Sequence, residues 1–169
     1  MSGRMRPDRD NYFLNIAEQV AKRSTCISRI NGALVVKDNK VVGAGYNGWA
    51  AGSRNCSEIY LLPERPCPRL AKGFKTGEGY EVDCKAVHAE ANALLNCATE
   101  TKDGTLYLYT ESIKPDGEHF KDAFCLGCLG LMLNAGIERG VVKSMAQGTF
   151  ENYVYYKPEL KKMYLERKK

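Results

Sequence analysis

The fold is decided around residues 85–98, which read KAVHAEANALLNCA. This helical, alanine-rich pattern predicts a helix from Lys85 to Ala98. The β-branched and aromatic run 105–110 predicts a strand directly after it. A second helix is predicted from Cys125 to Ala135, because Gly136 can adopt the left-handed conformation that ends a helix. Helix, strand and helix in this order are typical of an α/β domain.

The residues before this unit predict a helix and a hairpin. Apolar side chains recur with a helical period over residues 8–23. Two short β-rich runs, 33–36 and 41–45, flank an Asp-Asn turn, which predicts a hairpin. Residues 49–84 show no clean period, and a loop of that length is usually functional or clamped by another group.

The C-terminal part completes the alternation. Val141 and Val142 predict a short strand, and residues 150–169, rich in Tyr and Lys, are expected to hold a last helix after Pro158. The order of helices and strands predicts a three-layer α/β/α domain with a central mixed sheet.

The composition is that of one globular domain. The chain has 169 residues, 44% hydrophobic and 27% charged, with a formal net charge of +5. Such a small excess suits an anionic small substrate at least as well as a nucleic acid. The apolar runs are far shorter than the roughly 18 residues of a membrane span, and the charged N-terminus lacks a signal-peptide pattern. We therefore expect one domain over residues 1–169, a cytoplasmic location and no membrane partner.

Seven cysteines and two histidines define the candidate metal chemistry. An odd number of cysteines in such a chain indicates thiolates used for metal binding or catalysis. Cys125 and Cys128 lie on one face of a predicted helix start, where the helix dipole favours the thiolate. With His88 they offer three ligands and leave a fourth position for water, which is the catalytic pattern of zinc sites.

Glu90 follows His88 by two residues, where a carboxylate can stand beside a metal-bound water and shuttle protons. Zinc lowers the pKa of such a water to about 7. The pattern H-x-E followed by C-x-x-C, with a glutamate that is not a ligand, is the signature of zinc deaminases that act on nucleobases. A structural zinc site, or a core histidine with buried thiols, is the alternative interpretation.

At these motifs the sequence resembles the deoxycytidylate (dCMP) deaminase family within the cytidine deaminase-like superfamily. The resemblance covers a core of about residues 6–142 and leaves a C-terminal tail, residues 143–169. The segments that carry it are RPD at 6–8, AKRSTC at 21–26, GYNG at 45–48, AVHAEANA at 86–93, GTLY at 104–107 and NAGI at 134–137.

The resemblance implies the cytidine deaminase-like α/β/α fold and the hydrolytic deamination of dCMP to dUMP and ammonia. It implies zinc bound by His88, Cys125 and Cys128, with Glu90 as the proton shuttle. It also implies that Asn47 contacts the deoxyribose or its neighbouring phosphate, and that the backbone of Ala89 helps to hold the pyrimidine.

Four more cysteines fall where many members of the family carry cysteine. Some members bind a second, structural zinc in this region, and such a metal would clamp the long irregular segment. The spacings match no zinc-finger signature, so small buried hydrophobic side chains remain the alternative. The four residues are Cys26, Cys56, Cys67 and Cys84.

The resemblance further implies a homo-oligomer, with a hexamer as the expected form. It implies activation by dCTP and inhibition by dTTP, each bound with Mg²⁺ at subunit interfaces. Two other functions stay open: a deaminase of another cytosine substrate, including single-stranded nucleic acid or tRNA, and a catalytically silent zinc module. The basic, tyrosine-containing tail is the feature that would suit nucleic acid, but we do not expect nucleic acid as a partner.

Two positions and one segment depart from the family pattern. Phe124 stands where proline usually precedes the first ligand cysteine, which should change the helix cap more than the ligation. Trp49 stands where a small residue is usual. Residues 111–123 form a longer segment than is typical, and its charges are expected near the mouth of the site.

Overall fold

The computed structural model describes residues 5–60, 67–74, 83–113, 124–146 and 149–167. The segment expected to be longer than usual therefore lies, beyond Ile113, outside the described residues. The helices and strands are α1 (Arg9–Ala21), β1 (Arg29–Lys37), β2 (Lys40–Tyr46), β3 (Gly48–Trp49), α2 (Cys56–Ile59), α3 (Pro68–Ala71), β4 (Ala86–Val87), α4 (Ala89–Leu95), β5 (Thr105–Ser112), α5 (Leu126–Asn134), β6 (Arg139–Ala146), β7 (Thr149–Tyr156) and α6 (Lys157–Glu166).

Within the described residues, five strands form one mixed sheet in the order β2-β1-β5-β6-β7. β5 and β6 run parallel, whereas β1 pairs with β2 and β5, and β6 pairs with β7, in antiparallel ladders. The predicted hairpin is β1–β2. Asp38 and Asn39 at its turn have φ values of 49° and 62°, the positive φ pair that matches the twist of a hairpin.

Helices cover the two faces of this sheet. On one face, α1 packs Leu14 and Ala17 against buried residues of β1, β5 and β6, such as Tyr107. On the other face, α4, α5 and α6 contribute to a second core with Leu108 and Val142. The central strands are apolar on both sides because both of their faces are covered. The three-layer fold with a central mixed sheet is confirmed.

The N-terminus of α1 is tied to the sheet by one carboxylate. Asp10 receives two hydrogen bonds from the Arg139 guanidinium, at 2.8 and 2.5 Å, and one from the Tyr107 hydroxyl at 2.9 Å. The hydrogen bond from Arg139 is the main cause that lowers the pKa of Asp10 below its usual range. Asp8 caps the helix by accepting from the Asn11 backbone N–H at 2.8 Å.

Two predictions of secondary structure were wrong in extent. The helix expected over 85–98 runs only from Ala89 to Leu95, because Ala86 and Val87 pair with β3 as a short strand. Residues 149–156 form strand β7, which the sequence interpretation missed, and the expected last helix follows it from Lys157. None of the described helices has the length and apolar character that a membrane crossing requires.

Two glycines bring α4 into direct contact with the edge of the sheet. A Cβ on Gly45 would lie 2.3 Å from the backbone nitrogen of Ala93, and a Cβ on Gly43 would lie 2.3 Å from its carbonyl oxygen. Ala93 itself is fully buried. The position of α4 on β2 is therefore set by backbone contact, which leaves no room for a side chain.

We expect Gly45→Ala to lower the free energy of unfolding by about 2 kcal/mol or more, because the new methyl group must push α4 away from β2. Urea unfolding followed by circular dichroism measures this loss. Gly127→Ala is the matched control, since no atom lies within 4 Å of a Cβ added there. Equal losses in the two variants would contradict the close-contact argument.

Candidate metal centre

Three side chains meet where α4 and α5 begin. His88 Nδ1 lies 3.3 Å from the Cys125 sulfur and 3.5 Å from the Cys128 sulfur. The three donor atoms lie within 4.8 Å of one another, and among the described residues they are the one such group of His, Cys, Asp and Glu. The structure thus brings together the three ligands predicted from the sequence.

Helix starts position these ligands. His88 is the N-cap of α4, and Cys125 is the N-cap of α5. The Cys125 sulfur accepts the backbone N–H of Cys128 at 3.3 Å. Phe124 is fully buried, with its ring 6.2 Å from that of Tyr155. The departure from proline therefore anchors the start of α5 in the core.

The protonation states of the two thiols depend on each other. Hydrogen bonds from the Cys128 thiol and from His88 lower the pKa of Cys125. The pKa of Cys128 is raised, first by its hydrogen bond to Cys125 and then by its burial. The hydrogen bond to Cys125 raises the pKa of His88 to about 9. A divalent cation bound by these three groups would displace the protons that they share.

Glu90 lies beside this cluster as a buried carboxyl group. It is 3% exposed, and its Oε2 has no hydrogen-bond partner. Burial is the main cause that raises its pKa above the usual range, and His88 is the main opposing influence. A buried polar atom without a partner costs about 1–3 kcal/mol, so its presence indicates a role with a bound group.

Zinc fits this donor set. Two cysteine sulfurs and one histidine nitrogen are zinc ligands, and three protein ligands leave an open fourth position. The unpartnered oxygen of Glu90 is an independent sign that a further group completes the site. Zinc is therefore the metal that the residues present would hold.

Asn47 directly precedes β3, in which Gly48 pairs with Val87, the neighbour of His88. Its Oδ1 accepts from the Ser24 hydroxyl at 2.6 Å and from the Asn31 backbone N–H at 2.9 Å. Its Nδ2 donates to the Arg29 carbonyl at 2.9 Å. Asn47 is thus held independently of α4. Ala89, the other predicted substrate contact, is the buried first residue of α4.

The other four candidate ligands share one cavity. Cys26, Cys56, Cys67 and Cys84 line it together with Trp49 and neighbouring side chains. Burial, followed by the nearby Cys26 thiol, raises the pKa of Cys56 to about 11. Burial likewise raises the pKa of Cys84.

Asp83 is a wall residue of this cavity that the sequence analysis did not single out. One of its carboxylate oxygens pairs with Lys72, while the other, Oδ2, is buried without a partner. Its position directly before Cys84 is the sequence feature that could have identified Asp83 as a residue of this cavity.

The comparison with protein families decides the classification. The model of the cytidine and deoxycytidylate deaminase zinc-binding region matches residues 7–144. The chain belongs to the cytidine and deoxycytidylate deaminase family. The family predicted from the sequence is confirmed.

Two curated relatives of this deaminase chain, one from a phage and one from a yeast, are both named deoxycytidylate deaminase. The deoxycytidylate deaminase of Mycobacterium phage D29 is 43% identical over 141 residues, which are 80% of this chain and 94% of that protein. The deoxycytidylate deaminase of Schizosaccharomyces pombe is 33% identical over 138 residues, 82% of this chain but only 38% of that protein. The chain thus spans nearly the whole phage relative and well under half of the yeast one.

A solved structure shares the fold. The dCMP deaminase of cyanophage S-TIM5 in its apo form has a TM-score of 0.55 at 20% identity, over 82% of this chain and 85% of that one. The same phage enzyme in complex with dCMP and dUMP has a TM-score of 0.51 at 20% identity, over 79% of each chain. At this identity the likeness establishes the common α/β/α architecture.

We expect Glu90→Gln to stabilise the metal-free protein at pH 7 by about 1–3 kcal/mol, because an amide has no charged form whose burial must be offset. Urea unfolding after removal of metal with a chelator measures the change. Glu100→Gln, on an exposed residue, should shift stability by less than about 0.5 kcal/mol. A destabilised Glu90→Gln protein would show that the carboxyl group is structural.

Proposed function

We propose that this chain hydrolyses dCMP to dUMP and ammonia. The observation that carries the proposal is the buried Glu90 carboxyl group, unpartnered at Oε2, beside the three converging ligands His88, Cys125 and Cys128. The substrate is supported by the deoxycytidylate deaminase of phage D29, which matches over 94% of its length.

His88, Cys125 and Cys128 would hold the zinc ion through one nitrogen and two sulfurs. Zinc bound there supplies a Lewis acid that lowers the pKa of a bound water to about 7. The position of the ligands at two helix starts favours the thiolate forms that a metal needs.

Glu90 moves the protons. Burial raises the pKa of the Glu90 carboxyl group, which makes it a better proton acceptor than an exposed carboxylate and still able to return the proton. It takes a proton from the attacking water and gives it to N3 as the new C4–O bond forms. It then passes the second water proton to the amino group as the C4–N bond breaks. The water oxygen remains on C4, one proton on N3, and the other leaves with ammonia.

Asn47 and Ala89 are the proposed contacts for sugar and base. The three hydrogen bonds of Asn47 fix its side chain before substrate arrives, so little conformational entropy is lost on binding. The amide nitrogen of Asn47 carries a second N–H that none of these three bonds uses, and this N–H is suited to a sugar or phosphate oxygen. Ala89 offers backbone groups at the start of α4, next to His88 and Glu90.

The resemblance also supports further proposals for this chain. These are a single domain of 169 residues, a homo-oligomer with a hexamer as the expected form, and a cytoplasmic location. They also include regulation by dCTP and dTTP bound with Mg²⁺. Sedimentation with and without these nucleotides tests the oligomer and the effectors together.

Zinc-loaded protein should convert dCMP to dUMP. Glu90→Gln should lower kcat by a factor on the order of 10³, because the proton shuttle is lost. Chromatography of the products from dCMP, CMP, deoxycytidine, dCTP and a cytosine-containing single strand measures the choice of substrate. Glu100→Gln is the matched control and should keep the parent rate.

Turnover of another member of this panel with no dUMP from dCMP would contradict the proposed substrate. Activity on the single strand would favour the alternative function, deamination of cytosine in single-stranded nucleic acid. Absence of turnover on all substrates with dCTP present, in protein that holds zinc, would favour the silent module.

We also propose a second, structural zinc in the cavity of Cys26, Cys56, Cys67 and Cys84. Burial raises the pKa values of the Cys56 and Cys84 thiols, with a smaller contribution from the nearby Cys26 sulfur. A divalent cation bound there would displace the thiol protons. The buried, unpartnered Oδ2 of Asp83 adds negative charge at the same cavity. Such an ion would join the turn after α1 to the segment of α2 and α3.

Elemental analysis should therefore find two zinc ions per chain. Cys56→Ser should lower the content by one ion and the melting temperature by several degrees, since a structural metal contributes folding energy. Cys125→Ser should lower it by the other ion. Cys97→Ser is the control that keeps both, because Cys97 lies outside the two clusters. One zinc in the parent protein, lost entirely in Cys125→Ser, would contradict the second site.

A further inference from the structure

Helix α4 is fastened along the outer edge of the sheet by a series of hydrogen bonds. The Asn92 side chain donates from Nδ2 to the carbonyl of Tyr46 at 2.8 Å. The Asn96 side chain donates to the carbonyl of Ala44 at 3.0 Å. Beyond the end of α4, the backbone N–H of Ala98 donates to the carbonyl of Val42 at 3.1 Å. Alternate carbonyls of β2 are thus satisfied by α4 and the turn after it.

The spacing of the two asparagines sets the register of the helix. Four residues of helix rise by about 6 Å, close to the roughly 6.8 Å covered by two residues of strand. Asn92 and Asn96 therefore reach two successive outward carbonyls of β2 in one alignment only. A slide of α4 along the strand would break both bonds together.

The bond of Asn92 differs from that of Asn96 in what it connects. Asn92 lies one helical turn after His88, and its backbone N–H donates to the His88 carbonyl at 3.0 Å. Its side chain holds Tyr46, whose next residue is Asn47. Asn92 therefore connects two parts of the site. One is the start of α4, which carries His88 and Glu90, and the other is the end of β2, which precedes Asn47.

Asn96 makes the same type of bond one turn farther from the metal centre. It is exposed, whereas Asn92 is half-buried. Asn92 and Asn96 therefore make two equivalent amide-to-carbonyl bonds from one helix, and only the bond of Asn92 lies next to the metal centre.

We propose that Asn92 is a positioning residue for the catalytic centre, holding the first turn of α4 so that the Glu90 carboxyl group keeps its place beside His88. This inference rests on the proposed deaminase function. Asn47 keeps its own bonds to Ser24, Asn31 and Arg29 when Asn92 is removed. The sugar contact should therefore be kept, and the loss should fall mainly on proton transfer by Glu90, with a smaller change at the base contact of Ala89.

The expected signature is a separation of kcat from KM. Asn92→Ala should lower kcat for dCMP by about 10- to 100-fold, the range that a displacement of about 1 Å can cause. The KM should change by less than a factor of three. The solvent deuterium isotope effect on kcat should increase, because proton transfer by a displaced Glu90 becomes more rate-limiting. Asn92→Asp, which keeps the shape but cannot donate, should behave in the same way.

Asn96→Ala is the matched control. It should lower the melting temperature while leaving kcat within a factor of two of the parent, with an unchanged isotope effect. Zinc content, measured for every variant, separates displacement of Glu90 from loss of metal. A kcat for Asn92→Ala within a factor of two of the parent would overturn the inference. Equal kcat losses in the Asn92 and Asn96 variants, or a loss confined to KM, would do the same.

A second measurement keeps the inference independent of turnover. Hydrogen–deuterium exchange, read by mass spectrometry on peptides covering 86–93, should be faster in Asn92→Ala than in Asn96→Ala. Equal exchange in the two variants would overturn the positioning role. A parent protein that deaminates no substrate would refute the proposed function, while this exchange measurement would still decide whether Asn92 holds the start of α4.

Discussion

The backbone contact between α4 and β2 is the constraint on which the rest of the structure depends. Ala93 sits between Gly43 and Gly45 at a distance that excludes any side chain on the strand. The close contact sets how near α4 lies to β2, and the bonds of Asn92 and Asn96 set its position along the strand. The first turn of α4 is therefore held at one place above the sheet. The start of α5, anchored by the buried Phe124, is delivered to the same place from the other side. Two helix starts meet there, and both favour negative charge.

The same arrangement makes the centre costly for the fold. Glu90 is buried with an unpartnered oxygen, and two thiols and an imidazole share protons at its side. The large apolar cores on both faces of the sheet offset this cost, since each buried aliphatic or aromatic side chain contributes about 1.5–3 kcal/mol. The chemistry therefore lies at two helix starts that pack against these apolar cores.

The parts of the molecule that depend on local patterns could be predicted from the sequence. His88, Glu90, Cys125 and Cys128 were found because each metal motif is short and opens a helix, and the β1–β2 hairpin because Asp38 and Asn39 suit its turn. Long-range pairing could not be predicted in this way. Val87 forms a strand because it pairs with Gly48, which lies far away in the sequence. The hydrogen bond from Asn92 to Tyr46 likewise spans 46 residues. Strand β7 carried an aromatic alternation that was obscured by the basic helix after it.

The hydrogen bonds along β2 also bear on how this protein meets other chains. An edge strand normally presents free carbonyls to which a strand of another molecule can pair. Here the carbonyls of Val42, Ala44 and Tyr46 already accept bonds from within the chain. The asparagines that align the helix therefore also protect this side of the sheet against strand addition and the aggregation that can follow from it.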